Sequence, residues 1–229
     1  MFPLAKVCSI ISLVVLSNTV IPILPSLANI NSPDLLAKNT AEELFQQGLE
    51  KFKVNDYTGA IEAWTQAIAL NPNFAEAYYN RGVARYKNRE IQPALTDLTT
   101  ASKIKPNYPE AYYVRGLIRS EELNDNAGAI KDFDQAILFN PNYDAAFFKR
   151  GNAYAALGDN PKAMQDYNKT LELSPDNADA LFNRGVVKYN SNDRPGAVED
   201  FQKAAALYQS KGDTAGYQRV TSVLKQIKS

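Results

Sequence analysis

Residues 75–108, AEAYYNRGVARYKNREIQPALTDLTTASKIKPNY, are one complete copy of a sequence pattern that recurs along the chain and determines its fold. One glycine of this stretch recurs with spacings of 34, 34, 35 and 34 residues, at Gly48, Gly82, Gly116, Gly151 and Gly185. One alanine recurs in step with it, at Ala60, Ala94, Ala129, Ala163 and Ala197, and a proline recurs at Pro72, Pro106, Pro141 and Pro175. A constant period of this length indicates stacked copies of one structural unit.

Each unit has the pattern of two helices that approach closely. In the second helix a small residue, a large one and another small one follow at i, i+4 and i+7, as in Ala60, Trp64 and Ala67, so all three share one helical face. The residue before a proline is kept out of the helical region, which predicts where the second helix ends. The one extra residue falls between Gly116 and Ala129, and we expect it in the turn near residues 124–126.

This pattern resembles the tetratricopeptide repeat (TPR) family, whose 34-residue helix–turn–helix unit it matches position by position. The resemblance implies an all-α fold, a right-handed α-solenoid of five TPR helix–turn–helix hairpins plus a C-terminal capping helix. The predicted units are 41–74, 75–108, 109–143, 144–177 and 178–211, with the capping helix at 212–229. Two positions depart from the pattern: Thr170 replaces an alanine, and Gln209 stands where a fifth proline would be.

The last predicted helix is amphipathic. Its apolar residues fall at helical spacing, at Tyr217, Val220, Val223, Leu224 and Ile227. A stack of hairpins needs an end with one polar face, so these residues predict a cap over the last apolar layer. A helix that docks onto a partner is the alternative.

The first 28 residues predict a secretory signal peptide. Lys6 supplies a positive start, residues 10–16 an apolar core, and Ser26 to Ala28 a cleavage site. The alternative is a membrane anchor, but Asn18 and two prolines interrupt the run of about 20 apolar residues that a membrane span needs. Residues 29–40 are predicted as a linker. Export places the mature chain in a periplasm, a thylakoid lumen or the extracellular space.

The repeats themselves resemble one group within the family. The Asn-Pro-Asn junctions and the Tyr-Tyr-x-Arg-Gly runs are similar to those of exported bacterial members, cyanobacterial ones especially.

Composition narrows the function. Lys plus Arg is 25 and Asp plus Glu is 25, so the formal net charge is zero and no basic field is available for nucleic acid. There is no histidine, and the single cysteine, Cys8, lies in the predicted signal peptide. We therefore predict no catalytic residues, no cofactor and no metal site, although paired carboxylates, Ser–Lys dyads and an all-oxygen metal site remain open.

Four units carry an arginine before the glycine and an aspartate before the large residue of the second helix. These are Arg81, Arg115, Arg150 and Arg184, with Asp97, Asp132, Asp166 and Asp200; the first unit has Gln47 and Ala63 there. Joint presence and joint absence predict an ion pair that ties the two helices of each hairpin together. A row of arginines that grips acidic ligands is the alternative, but it leaves the aspartates unexplained.

The resemblance also implies where a partner binds, because the first helices of TPR hairpins line the concave face. The implied groove residues are Phe45, Gln46, Tyr79, Asn80, Tyr86, Tyr113, Phe148, Phe182, Asn183 and Tyr189. Aromatic rings supply contact area, and amide side chains can pair with an extended peptide backbone. Packing between neighbouring repeats explains the aromatics equally well. Glu42, Glu76, Glu110 and Asp179 give the groove an acidic edge.

In this family a clamp of Lys and Asn side chains at five positions holds a chaperone's acidic C-terminus. In this chain the five matching positions hold Phe45, Leu49, Asn80, Glu110 and Val114, so only Asn80 fits the clamp. We therefore predict a non-catalytic scaffold, adaptor or assembly factor that binds another protein or peptide, stays monomeric and inserts in no membrane after signal removal. The alternatives are the substrate-presenting part of an enzyme system and a self-associating structural protein.

Overall fold

The computed structural model describes residues 33–228, so the predicted signal peptide and residues 29–32 lie outside that range. These described residues form eleven α-helices and no β-strand, and the chain from Ala37 onward is one compact unit. The helices are α1 (Pro33–Lys53), α2 (Tyr57–Leu70), α3 (Ala75–Lys87), α4 (Ile91–Ile104), α5 (Pro109–Leu123), α6 (Asn126–Phe139), α7 (Asp144–Ala156), α8 (Asn160–Leu173), α9 (Ala178–Asn190), α10 (Arg194–Ser210) and α11 (Thr214–Lys228). From α2 onward each helix packs against the next one in the chain.

The turn before each even-numbered helix from α2 to α10 is built the same way. One residue with positive φ ends the preceding helix, at Asn55, Arg89, Asn124, Gly158 and Asn192. An acidic residue follows, and in four of the five turns its carboxylate accepts a hydrogen bond from the backbone N–H three residues on, as Asp125 does from Gly128 at 2.8 Å. These caps satisfy backbone donors that the helix itself leaves unpaired, and they therefore fix where the second helix starts.

The glycine, the alanine and the large residue interlock where two helices cross. All five recurring glycines and all five recurring alanines are buried. The large residues that face them, Trp64, Leu98, Phe133, Tyr167 and Phe201, are at most 1% exposed. A methyl group on Gly116 would lie 2.7 Å from the ring of Phe133, and one on Gly185 would lie 2.7 Å from Phe201. Glycine is required there because the ring occupies the space of a side chain.

The arginine–aspartate pairs are confirmed in four hairpins. Arg81 donates to both carboxylate oxygens of Asp97 at 2.8 and 2.9 Å, and the same two-bond contact joins Arg115 to Asp132, Arg150 to Asp166 and Arg184 to Asp200. Each arginine also reaches the preceding hairpin, at Thr65, Thr99, Asp134 and Asn168. Each therefore links the two helices of its own hairpin and two successive hairpins.

The structure corrects two local predictions. α1 begins at Pro33, so residues 33–40 are helical where the sequence indicated a linker. The fixed φ of proline suits the first turn of a helix, and Leu-Leu-Ala-Lys follows with high helix propensity.

The extra residue of the third unit also lies elsewhere than expected. It is taken up in the last turn of α5, where the Asp125 N–H donates to the Arg119 carbonyl at 2.8 Å, one residue further back than in the other hairpins. The left-handed Asn124 and the capping Asp125 keep their places, so the turn itself is unchanged.

The length of α10 and the packing of α11 agree with their sequence patterns. α10 has 17 residues, whereas α2, α4, α6 and α8 have 14, because Gln209 replaces the proline that would stop it. α11 packs its apolar side, Tyr217, Val220, Val223, Leu224 and Ile227, against the buried residues of α9 and α10. Among residues 33–228 no helix has both the length and the apolar character to cross a bilayer.

Candidate functional site

One aromatic residue on each of five helices forms a row that we call the aromatic ladder: Phe45, Tyr79, Tyr113, Phe148 and Phe182, on α1, α3, α5, α7 and α9. All five side chains are half-buried. Four of them contact the large core residue of their own hairpin, with ring centroids 5.5 to 6.4 Å apart. The ladder therefore has one side in the core and one side at the surface.

A second row of aromatics, which the sequence analysis missed, packs against the ladder. Phe74, Tyr108 and Tyr143 stand just before α3, α5 and α7, and their ring centroids lie 4.9, 5.0 and 4.9 Å from Phe45, Tyr79 and Tyr113. Their spacing of 34 and 35 residues is the repeat period and could have revealed them. After Tyr143 the row ends, because Asn177 and Lys211 occupy the next two places.

The tyrosines in the middle of the two rows have raised pKa values. Burial raises the pKa of Tyr79, and the nearby Glu110 carboxylate raises it further. Burial also raises the pKa of Tyr108 and of Tyr143, and Glu110 contributes to both. The hydroxyls therefore stay protonated at neutral pH and can donate hydrogen bonds to a ligand.

The acidic edge predicted from the sequence consists of four carboxylates with different surroundings. Glu42 accepts a hydrogen bond from Gln46 at 3.4 Å, and Glu76 pairs with Lys105 at 2.7 Å, which is the main reason for its lowered pKa. Asp179 pairs with Arg219 at 3.0 Å. Glu110 is exposed, and no Lys or Arg of the described residues pairs with it.

The amide side chains of the predicted groove behave differently from one another. Asn80 donates to the backbone carbonyl of Glu76 at 2.8 Å, within its own helix. Asn183 donates at 2.9 Å to Asn152 on the neighbouring first helix, and the Tyr167 hydroxyl donates to the same oxygen at 2.9 Å. These three residues line a cavity of about 320 Å³, together with Ala155, Asn160, Val186, Val187 and Asn190. No sequence signal marks Asn152, since the other units carry Leu or Val there.

The remaining predicted groove residues lie at the margins. Gln46 is exposed on α1. The Tyr86 hydroxyl donates to Glu122 at 3.2 Å and so connects α3 to the end of α5. Tyr189 is 39% exposed, with Arg194 above its ring at 5.7 Å. Two aromatic pairs, Tyr79–Tyr108 and Tyr113–Tyr143, therefore lie in the middle of the described residues, with amides further along toward α9.

The candidate site offers ring faces, phenol and amide groups and a carboxylate. Among the described residues no three acidic or cysteine side chains come together as metal ligands would.

The fold defines a class of protein, the helical-repeat proteins built from stacked two-helix hairpins. A family model described as TPR repeat matches residues 48–88, 122–158 and 151–192, so these stretches of the chain are similar to TPR repeats. No curated protein matches the chain in sequence.

Solved structures with the same architecture support this assignment. The crystal structure of the MamA protein is 26% identical, covers 77% of this chain and 96% of its own, and has a TM-score of 0.69. YrrB, described as a TPR protein with an unusual peptide-binding site, is 21% identical over 83% of this chain and 98% of its own with a TM-score of 0.67, and shows the fold alone. The first TPR of Spaghetti (RPAP3), bound to the HSP90 peptide SRMEEVD, is 26% identical over 53% of this chain and 95% of its own, with a TM-score of 0.51.

Proposed function

We propose that this chain is an exported, non-catalytic scaffold that binds a protein or peptide partner along the aromatic ladder. The observation that carries the proposal is the double aromatic row, in which Tyr79–Tyr108 and Tyr113–Tyr143 pack side by side at the surface. Half-buried tyrosines supply rigid contact area and a hydroxyl for hydrogen bonding, and they are enriched where proteins bind one another.

The comparisons support a peptide or protein as the ligand, because one similar structure holds a peptide. That peptide, SRMEEVD, is acidic, whereas the surface proposed here carries the unpaired carboxylate of Glu110. Of the five clamp positions only Asn80 fits, and its amide is engaged with its own helix. A partner with an acidic terminus is therefore disfavoured by charge.

The architecture that we propose is five hairpins closed by α11, with the ladder on the concave face of a right-handed solenoid. The apolar side of α11 packs onto the last hairpin, which favours a cap over a docking helix. We further propose that residues 1–28 direct export, that the mature chain is monomeric, and that it binds neither nucleic acid nor membrane. The support for these last points is the sequence pattern and the balanced charge.

The test is an affinity capture with residues 29–229 from an extract of the exported compartment, read by mass spectrometry. We expect one partner in stoichiometric amount, and we expect the Tyr79→Ala/Tyr113→Ala variant to lose it, because the two ring pairs at the centre of the surface disappear.

The matched control is Tyr112→Ala, which removes the next ring along α5. Tyr112 stacks on Phe139, 5.9 Å away, and makes no ring contact with the ladder. Retention of the partner by this variant and loss by the double variant, with both chains helical by circular dichroism, would support the proposal. Equal capture by all three chains would show that the ladder only packs repeats together.

A further inference from the structure

The chain places its own cations against an aromatic ring and a carboxylate at two points of the repeat. The Lys105 ammonium lies 4.6 Å above the Tyr108 ring and 2.7 Å from Glu76. In the last hairpin, the Arg219 guanidinium lies 4.6 Å above the ring of Phe182. It donates hydrogen bonds to the Asp179 carboxylate at 3.0 Å and to the Tyr208 hydroxyl at 2.8 Å. Ring face and carboxylate together favour a cation at both points.

The same arrangement of carboxylate and ring recurs twice at repeat spacing without its cation, with Glu42 and Phe74 in the first hairpin and with Glu110 and Tyr143 in the third. Glu42 accepts a hydrogen bond from Gln46, which leaves Glu110 as the carboxylate without a side-chain donor among the described residues. Glu110 is the counterpart of Glu76, 34 residues on, and Tyr143 is the counterpart of Tyr108, 35 residues on. The counterpart of Lys105 is Asn140, whose side chain accepts a hydrogen bond from the Asn142 N–H at 3.2 Å. With asparagine at this place, Glu110 and Tyr143 lack the cation that Glu76 and Tyr108 hold.

Nothing else among residues 40–227, whose side chains the structure describes, supplies that charge. No Lys or Arg of these residues lies over the ring of Tyr79, Tyr113 or Tyr143. Lys105, the cation of the equivalent arrangement, pairs with Glu76 at 2.7 Å. Tyr113 packs on Tyr143 with ring centroids 4.9 Å apart, so two rings border the position equivalent to that of the Lys105 ammonium. Burial is the main cause of the raised pKa of Tyr143, and Tyr113, Tyr79 and the carboxylates of Glu110 and Asp144 raise it further.

We propose that Glu110, Tyr113 and Tyr143 form a binding site for a lysine or arginine side chain of the partner. The inference rests on the proposed binding function and names the chemistry that the partner must present at this point of the surface. The carboxylate supplies charge, and the two rings supply faces of the kind that Lys105 and Arg219 occupy elsewhere in the chain.

The probe is a pair of capped pentapeptides, Gly-Ser-Arg-Ser-Gly and Gly-Ser-Gln-Ser-Gly, titrated into the isotope-labelled protein and followed by NMR. With the arginine peptide we expect saturable shifts centred on Glu110, Tyr113 and Tyr143. The glutamine peptide should bind about tenfold more weakly, because it has neither the charge nor the cation–π contact. Equal shifts with both peptides would overturn the inference.

The decisive variant is Asn140→Lys, which restores the internal cation and should block the site. Asn140 and Asn71 are equivalent caps, with φ and ψ of −136° and 88° against −132° and 89°, and each accepts a hydrogen bond from the N–H two residues on. Asn71→Lys therefore adds the same charge at a matched place beside Glu42 and serves as the control. We expect about a tenfold loss of arginine-peptide affinity in Asn140→Lys and none in Asn71→Lys.

The two proposals fail in different ways. A captured partner that is lost in the Tyr79→Ala/Tyr113→Ala variant but kept by Asn140→Lys would leave the binding function standing and refute the cation site. NMR shifts that the arginine peptide causes at the site, and that Asn140→Lys abolishes, would support the cation site even where the affinity capture yields no partner. Unchanged arginine affinity in Asn140→Lys refutes the inference in either case.

Discussion

The hairpins α7–α8 and α9–α10 share one backbone plan but hold their buried aspartates in opposite electrostatic settings. Asp200 accepts hydrogen bonds from Arg184 at 2.7 and 2.8 Å and lies 2.8 Å from the Lys188 ammonium. The Asp166 carboxylate accepts hydrogen bonds from one cation, Arg150, because Tyr154 occupies the position equivalent to Lys188. Arg150 in turn is shared with a second carboxylate, Asp134, at 2.6 Å.

The two networks therefore carry opposite net charge, +1 around Asp200 and −1 around Asp166. Desolvation favours the protonated acid in both. Around Asp200 the hydrogen bonds from Arg184 and Lys188 outweigh it, and the pKa is lowered; around Asp166 desolvation prevails, Asp134 adds to it, and the pKa is raised. The repeat pattern determines where the charged side chains lie. Single residues outside the pattern, such as Tyr154 near Asp166 and Asn140 near Glu110, determine whether each carboxylate has enough cations to neutralise it.

The largest effect expected from this comparison is that of Asp200→Asn. The change leaves Arg184 and Lys188, whose side chains are 18% and 20% exposed, without their carboxylate, and we expect a loss of about 3 kcal/mol in the free energy of unfolding at neutral pH. Urea denaturation followed by circular dichroism measures it. Glu199→Gln, at the exposed neighbouring position, is the control and should change stability little. A loss below about 1 kcal/mol would show that the two cations find other partners.

The second prediction is that the costs of Asp200→Asn and Asp166→Asn change with pH in opposite directions. The folded pKa of Asp200 lies below 3.8, so its stabilisation is present above the unfolded pKa and is lost as pH falls through the folded value. The folded pKa of Asp166 lies above 3.8, so its contribution is fullest below the unfolded pKa and is lost as pH rises through the folded value.

From about pH 3 to pH 6 the cost of Asp200→Asn should therefore rise, and that of Asp166→Asn should fall to within about 1 kcal/mol of zero. Parallel urea titrations of the two variants and the unaltered chain at three pH values measure both slopes. Slopes of the same sign would mean that Asp134 does not set the charge of the Asp166 network.

The repeat-based features could be predicted because each occurs several times. The glycine and alanine positions, the arginine–aspartate pairs and the apolar face of α11 each rest on a period or a helical pattern, and helix crossings leave few residue types acceptable there. The ladder residues recur at one position of each first helix and are half-buried, while their role in a binding groove stays a prediction.

Features that occur once could not be predicted in this way. Asn152 breaks a series of Leu and Val, so only its contact with Asn183 identifies it. The sequence predicts the extra residue near Asn124 in the turn, whereas the hydrogen bond from the Asp125 N–H to the Arg119 carbonyl shows that the last turn of α5 takes it up. Likewise the unpaired state of Glu110 depends on which cations reach it, which spacing along one chain does not show.

The smallest and most specific effect is that of Tyr154→Lys, which gives the Asp166 network the second cation that Lys188 gives Asp200. We expect the pKa of Asp166 to drop below its ordinary value, because the network charge rises from −1 to zero. Stability should rise by only about 0.5 kcal/mol, since the Tyr154 ring also lies beside Arg150 and Lys162 and that contact is lost. The pH titration of the Asp166 carboxyl carbon by NMR reports the pKa directly. Tyr154→Leu removes the ring without adding charge, so an equal drop in that control would trace the shift to packing and not to charge.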